Sequence, residues 1–326
     1  MKNVLVTGGA GFIGSHLVDE LVKRKYNVYV IDNLSNGKIK NLEESLNKIK
    51  FINDDINNIY KYKKKLSKID YCIHLAALAD IVPSITNPDE YYHSNVSGTF
   101  NIINFLKNYR IKKFIYIASS SCYGIPSTKK TNENSKIDIR YPYALTKKLG
   151  EDLSMHWNKV YNFPTISLRL FNVYGLRSRT SGTYGAVLGV FLKQKLSHKP
   201  LTIVGNGQQT RDFIYVSDVV SAIIKSMNSK IKGEVFNIGS GKTHSINYLA
   251  KLIGGKKIFI PKRPGEPDST HANIQKAKKF LDWKPSIQLK DGIRIILNNI
   301  DKWKNAPLWN KKSINKATKD WFKYLK

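Results

Sequence analysis

Through the first half of the chain, short β-branched runs alternate with longer stretches of helical period. The runs are "NVLVTG", "YNVYVID", "KFIND", "DYCIHLA", "KFIYIAS" and "FPTISLRLF". Unbroken apolar runs of this length read as strands buried on both faces, and the segments between them are long enough for crossover helices. The pattern predicts an α/β fold built on a doubly wound parallel sheet. The two longest helix candidates are "DEYYHSNVSGTFNIINFLKN" and the segment that begins at Tyr143, "YALTKKLGEDLSMHWNKVY".

After Arg169 the rhythm changes. Residues 174–210 are rich in Gly, Ser and Thr around one helix candidate, "GAVLGVFLKQKL". "RDFIYVSDVVSAIIKSM" and "EVFNIGSG" then return to strand and helix patterns that can rejoin the sheet. The expected division is a dinucleotide-binding domain over 1–172, with 211–241 returning to it. Residues 173–210 and 242–326 form a smaller, interleaved α/β lobe for substrate. The tail "WNKKSINKATKDWFKYLK" brings Trp321, Phe322 and Leu325 close together and predicts an amphipathic helix.

Composition narrows the partners. With 54 Lys and Arg against 24 Asp and Glu the formal net charge is +30, which favours anionic ligands. The lysines are spread along the chain without an aromatic-basic RNA motif, so they read as solvated faces rather than a specific nucleic-acid site, and they suit a phosphate-bearing substrate. Cys72 and Cys122 offer neither a disulfide framework nor metal spacing, and no metal site is expected. The start "MKNVLVTGG" does not read as a secretion signal, and no apolar stretch approaches membrane-spanning length, so a cytoplasmic protein is expected. His74, His93, His156 and His244 are scattered and read as core or surface residues.

Chemistry enters with "VTGGAGFIGSHL", which places Gly8, Gly11 and Gly14 between the first strand and a helix. Glycines there let the backbone approach a pyrophosphate, and the helix N-terminus presents free N–H groups to it. The second strand ends in Asp32, whose carboxylate can accept both ribose hydroxyls of adenosine and would repel a 2'-phosphate. This combination makes the sheet Rossmann-like and favours NAD over NADP. "YPYALTKK" adds Tyr143 and Lys147, four residues apart on one helix face. A phenol near pKa 10 is a poor base. A neighbouring ammonium and a cationic nicotinamide are expected to lower that value into a usable range.

With these motifs in hand the chain resembles the extended short-chain dehydrogenase/reductase superfamily, specifically its NAD-dependent nucleotide-sugar epimerase/dehydratase family. "IDNLSNG", "HLAALAD", "NVSGTFNII", "SSSCYG", "LRLFNVYG", "GNGQQTRDFIYVSDV" and "RPGEPDST" extend the resemblance over nearly the whole chain. The resemblance implies that Phe12 and Ile13 join the glycine turn, that Asn33, Ser35 and Gly37 surround the adenosine ribose, and that Asp55 and Ile56 meet the adenine. It also implies that Leu75, Ala76 and Ala77 line the dinucleotide and that Lys147 holds the nicotinamide ribose.

By the same resemblance Ser119 hydrogen-bonds the sugar 4-hydroxyl beside the catalytic Tyr143. The next two positions look like Asp-Glu in 4,6-dehydratases, and the second is Glu in related decarboxylases. Here they are Ser120 and Ser121, which cannot act as carboxylate acid and base. What remains is oxidation at C4 and its reversal: a UDP-glucose or UDP-N-acetylglucosamine 4-epimerase, with another nucleotide-sugar epimerase, a 4,6-dehydratase or a recruited nucleic-acid-binding protein as alternatives. Cys122 is offset by one position from the cysteine acid of reductase-epimerases and reads as packing.

Arg211, Arg263 and Asp268 suit a nucleoside diphosphate, since arginines fork onto phosphate and a carboxylate takes ribose hydroxyls. The resemblance adds Asn172 at the phosphate or sugar and "SRTSGTYGAV" at the uracil. It places a size gate at Thr270, where a small residue admits an N-acetyl group, or at His271, which would favour plain hexoses. It also implies a homodimer joined through the two long helices.

Overall fold

A computed structural model describes residues 1–178 and 187–325. In chain order the strands begin with β1 (Asn3–Thr7), β2 (Asn27–Ile31), β3 (Ile49–Ile52), β4 (Tyr71–His74), β5 (Lys113–Ser119), β6 (Thr165–Leu170) and β7 (Asn172–Tyr174). They continue with β8 (Leu201–Val204), β9 (Thr210–Arg211), β10 (Phe213–Tyr215), β11 (Glu234–Ile238), β12 (His244–Ser245) and β13 (Lys257–Ile260). Seven of them form one sheet in the order β11-β6-β5-β4-β1-β2-β3, parallel throughout. The expected Rossmann-like architecture is therefore present. Its strands are buried because helices cover both faces, which is why they read as unbroken apolar runs.

The helices on the amino-terminal side are α1 (Phe12–Lys23), α2 (Ile81–Thr86), α3 (Pro88–Tyr92), α4 (Gly98–Leu106) and α5 (Pro142–Tyr161). The long helix expected over residues 89–108 is instead α3 and α4 joined by a π-helical turn, His93–Ser97. That insertion swings Asn95 inward, where its amide bonds both the N–H and the carbonyl of Leu78 and the hydroxyl of Thr146. A bulge of this kind spends helix regularity to aim a side chain. Helix α5 starts on Pro142, which loses nothing at a position whose N–H has no intrahelical partner.

The later helices are α6 (Val187–Leu196), α7 (Val216–Asn228), α8 (Ile246–Ile253), α9 (Gln275–Leu281), α10 (Leu289–Leu297), α11 (Lys311–Ala317) and α12 (Lys319–Tyr324). A second core packs Phe191, Leu201, Ile203, Leu249, Ile293 and Trp303. It lies around the parallel pairs β7–β10 and β8–β13 and the antiparallel pair β9–β12. The two cores cross the boundary expected at residue 242: Ala272, Ile274, Ala277, Leu281 and Trp283 belong to the sheet's core. The cause is β11, which adds an edge that α9 covers. Among the described residues no helix is long and apolar enough to cross a membrane.

Candidate active site

The strand order reverses at β1, whose neighbours are β2 and β4, and a crevice outside the carboxyl ends of the strands at such a switch point is where ligands bind. The glycine turn fills it. Gly8 adopts φ +69°, and a Cβ there would lie 2.7 Å from the Ala76 backbone nitrogen. A Cβ on Gly14 would lie 2.2 Å from the Gly8 carbonyl. Strand, helix and the loop after β4 thus touch backbone to backbone. Helix α1 begins at Phe12 without a side-chain cap on its free N–H groups, which leaves them for an anion.

Asp32 follows β2, buried, with its carboxylate accepting from the N–H groups of Ala10 (2.9 Å) and Leu34 (2.8 Å). Burial raises its pKa, and these two N–H groups act against the rise. A Cβ on Gly37 would approach Asp32 Oδ1 to 2.9 Å, so the glycine keeps the carboxylate's outer side clear. Asn33 Nδ2 donates to Asp55 Oδ2 at 2.9 Å, Ser35 N–H bonds Asn33, and Asp55 also caps the turn after it through Asn57. The side chain of Ile56 is buried against Gly98. Leu75 and Ala76 are tied to Thr7, and the next residue, Ala77, is half-buried in the same loop. An open glycine turn, uncapped helix N–H groups and an acidic side chain one strand away fit an NAD-sized dinucleotide.

Beneath this loop lies His74, which sequence reasoning treated as ordinary core. It is buried, with ring nitrogens 2.7 Å from Thr7 Oγ1 and 3.0 Å from Thr99 Oγ1. Burial, and then the Lys147 charge, push its pKa down to about 3, so it is neutral and pins β1, β4 and α4 together. Its position at the end of a strand whose register partner is Thr7 is the only sequence signal it carries.

Across the switch point, β5 ends at Ser119 and α5 begins one residue before Tyr143. The Ser119 hydroxyl acts to lower the pKa of the Tyr143 phenol, and Ser121 does the same for Tyr141. Ser119 Oγ also accepts from the Ser121 N–H at 3.1 Å, which fixes its rotamer. The two tyrosine rings stack, with centroids 6.4 Å apart and planes 5° from parallel. Ser120 lies between the paired serines as the first residue of a short 3-10 turn. Cys122 is buried and burial raises its thiol to about 12, which agrees with a packing role.

Burial opposes the lowering expected at Tyr143. Burial pushes its phenol up to about 12, and burial pushes the Lys147 ammonium down to about 7, with Glu151 acting in the other direction. Desolvation penalises both charged forms. Lys147 Nζ lies 4.4 Å from the centre of the Tyr116 ring, and the Tyr116 hydroxyl bonds the Lys147 carbonyl. One turn further along α5, Glu151 forms a buried pair with Arg169 at 2.6 Å. Arg169 in turn bonds the Tyr123 hydroxyl. Sequence reasoning passed over Glu151, although the spacing of 143, 147 and 151 puts all three on one helix face.

The predicted substrate residues gather on the other side of the crevice. Arg211 pairs with Glu266 at 2.9 Å, and Arg263 lies 3.9 Å from the same carboxylate. Asp268 pairs with Lys262 at 2.6 Å. Arg211, Lys262, Glu266 and Asp268 line a cleft of about 500 Å³. Glu266 and Lys262 were absent from the predicted set. They are the internal counterions of Arg211 and Asp268. Thr270 Oγ1 bonds Asn172 at 3.2 Å, whereas the His271 ring turns away onto the Gly241 carbonyl at 3.0 Å. Of the two gate candidates Thr270 is therefore the one beside Asn172. Most of the expected uracil-side stretch, 179–186, lies outside the described residues.

Known proteins resemble this chain over most of its length. The model of the "NAD dependent epimerase/dehydratase family" matches residues 4–239. A UDP-glucuronate 4-epimerase of Thermodesulfobacterium geofontis is 34% identical over 316 residues, covering 91% of this chain and 96% of its own. The crystal structure of a Thermotoga maritima UDP-glucose 4-epimerase with UDP-glucose superposes with a TM-score of 0.86 at 32% identity, covering 93% and 98% of the two chains. A UDP-N-acetylglucosamine 4-epimerase from Methanobrevibacter ruminantium, in complex with UDP-N-acetylmuramic acid, gives a TM-score of 0.85 at 32% identity, covering 91% and 99%.

Proposed function

The chain belongs to the NAD-dependent epimerase/dehydratase family, and from that premise we propose that it interconverts the C4 epimers of a UDP-hexose, acting on UDP-N-acetylglucosamine and UDP-glucose. The observation that carries this reading is Ser119, at the end of β5, acting on the Tyr143 phenol in the first turn of α5, with Lys147 one turn further on and serines at 120 and 121. Proton transfer at a sugar hydroxyl is provided for. A carboxylate to eliminate water or assist decarboxylation at the neighbouring carbon is absent from those two positions.

Bound NAD supplies a hydride acceptor and donor for C4. The chain's residues do the rest. Ser119 holds the 4-hydroxyl against Tyr143 Oη, which takes its proton and later returns it. Lys147 orients the ribose and places positive charge one turn from the phenol. A phenol that burial raises to about 12 needs that charge and the cationic ring of NAD to act near neutrality, so proton abstraction is coupled to a loaded site. The glycine turn and Asp32 retain the dinucleotide through the cycle. Arg211 and Arg263 grip the diphosphate while the 4-keto sugar turns over and presents its other face. Thr270 leaves room for an acetamido group.

The exposed side chains of Phe100 on α4 and of Leu145 and Tyr161 on α5 support a homodimer through these helices, which sedimentation would test. The activity is tested by proton NMR of the purified protein with UDP-N-acetylglucosamine and no added NAD. UDP-N-acetylgalactosamine signals are expected. Conversion of UDP-glucose alone would close the gate at Thr270, and a product lacking the 6-hydroxyl would replace epimerisation by dehydration.

A further inference from the structure

The carboxyl-terminal helix returns to the substrate side of the molecule. Trp321, on α12, is 4% exposed, and each part of its indole meets a different piece of the candidate site. Its Nε1–H donates to the Pro264 carbonyl at 2.7 Å. Its face lies under the Arg263 guanidinium, 5.6 Å from the ring centre. Its edge is tilted 42° against Tyr141, with centroids 6.2 Å apart, and Tyr141 is the ring stacked on Tyr143. Leu325 reaches the same loop at Gly265, and α12 rests on α2, which follows the 75–80 loop.

These contacts are more than the burial of a hydrophobic tail. A packing tryptophan needs only apolar neighbours, whereas this one spends its single donor on the 263–266 loop and its π-face on a diphosphate-binding candidate. An indole face beneath a guanidinium restrains the plane of the fork and offsets part of its charge. Arg263 shares its carboxylate partner Glu266 with Arg211, so a shift at Trp321 is felt by both arginines. We propose that Trp321 is a positioning residue of the substrate site, holding Arg263 and the 263–266 loop in place to receive the diphosphate of a nucleotide sugar. The proposal rests on the function inferred above for the ligand, and on the structure alone for the positioning.

The test compares full-length wild type, Trp321→Ala and Trp321→Phe as isolated holoenzymes. Alanine should raise the KM for the UDP-sugar, and the Kd for UDP, about tenfold, the loss expected of one cation–π contact and one hydrogen bond. Bound NAD should be retained. Phenylalanine, which keeps the face and loses the donor, should recover most of the affinity, to within about threefold of wild type. An alanine variant that retains NAD and binds UDP as wild type does would overturn the proposal. So would equal losses of KM, kcat, bound NAD and thermal midpoint in both variants, which would make the tryptophan an ordinary core residue. If wild type neither turns over a UDP-sugar nor binds UDP, the functional reading fails, and hydrogen exchange at 263–266 decides the positioning separately. Faster exchange in alanine than in phenylalanine supports it, and unchanged exchange sinks it.

Discussion

The two sides of the crevice are built from different materials. On the dinucleotide side the determining contacts are backbone to backbone: Gly8 against Ala76, Gly14 against Gly8, and the Asp32 carboxylate on two N–H groups. On the substrate side they are long charged side chains paired with one another, Arg211 with Glu266 and Lys262 with Asp268. The first side is rigid and preformed, because a Cβ has nowhere to go. The second holds its charges on internal partners, which a diphosphate bound as proposed would have to displace. A cofactor that stays through every cycle suits the first construction, and a substrate whose sugar must turn over suits the second.

The sharpest break lies at the seam between them. Tyr143→Phe keeps the ring stack with Tyr141 but removes the proton carrier, so turnover should fall by roughly 10³-fold while bound NAD, read from absorbance after denaturation, stays at wild-type content. Equal turnover would move the base elsewhere. Next in size, Gly14→Ala forces a Cβ onto the Gly8 carbonyl. About 3 kcal/mol of destabilisation, with loss of NAD on purification, should appear in denaturant melts. A variant that keeps NAD and stability would show that this side is not as closely packed as its distances say.

Arg211→Ala should leave bound NAD nearly untouched and raise the UDP-sugar KM by roughly 10- to 100-fold, the worth of a charge-assisted phosphate contact. An equal loss of NAD content would erase the distinction between the two sides. The smallest effect is on pH dependence. The Lys147 ammonium titrates near 7 when folded, against an ordinary 10.5. Between those values the unfolded chain binds more protons, so this residue makes stability rise with pH and withholds that gain below pH 7. Lys147→Met should therefore flatten the rise in the thermal midpoint of NAD-free protein between pH 7 and 9.5, by about 2–4 °C. A parallel curve would mean that Lys147 is not desolvated as its burial implies.

Much of this was legible in the chain, and unevenly so. The glycine turn, Asp32, Tyr143 and Lys147 could be read because local geometry demands particular residue types at particular spacings: no Cβ at three points, one acid at a strand end, two side chains on one helix face. Arg211, Arg263 and Asp268 are candidates by the chemistry of their side chains, whereas their partners carry no such signal. Glu266 and Lys262 are ordinary surface residues until the loop folds back on the cleft. The long helix over 89–108 was read as uninterrupted because apolar period does not register the extra residue of a π-turn, and Asn95 became visible only when that turn aimed it at Leu78.

The sequence by itself determined the strands, the cofactor turn and the candidate reacting side chains, because each shows as a residue pattern within a short stretch of chain. Tertiary structure alone decided the balance of charge and the distant contacts. It buried Tyr143 and Lys147 deeply enough for desolvation to raise the phenol and lower the ammonium. It turned His271 away and left Thr270 beside Asn172. It also carried Trp321 back against Arg263 and Tyr141, residues 58 and 180 positions earlier in the chain. Burial and long-range packing are properties of the whole fold, and no local pattern encodes them.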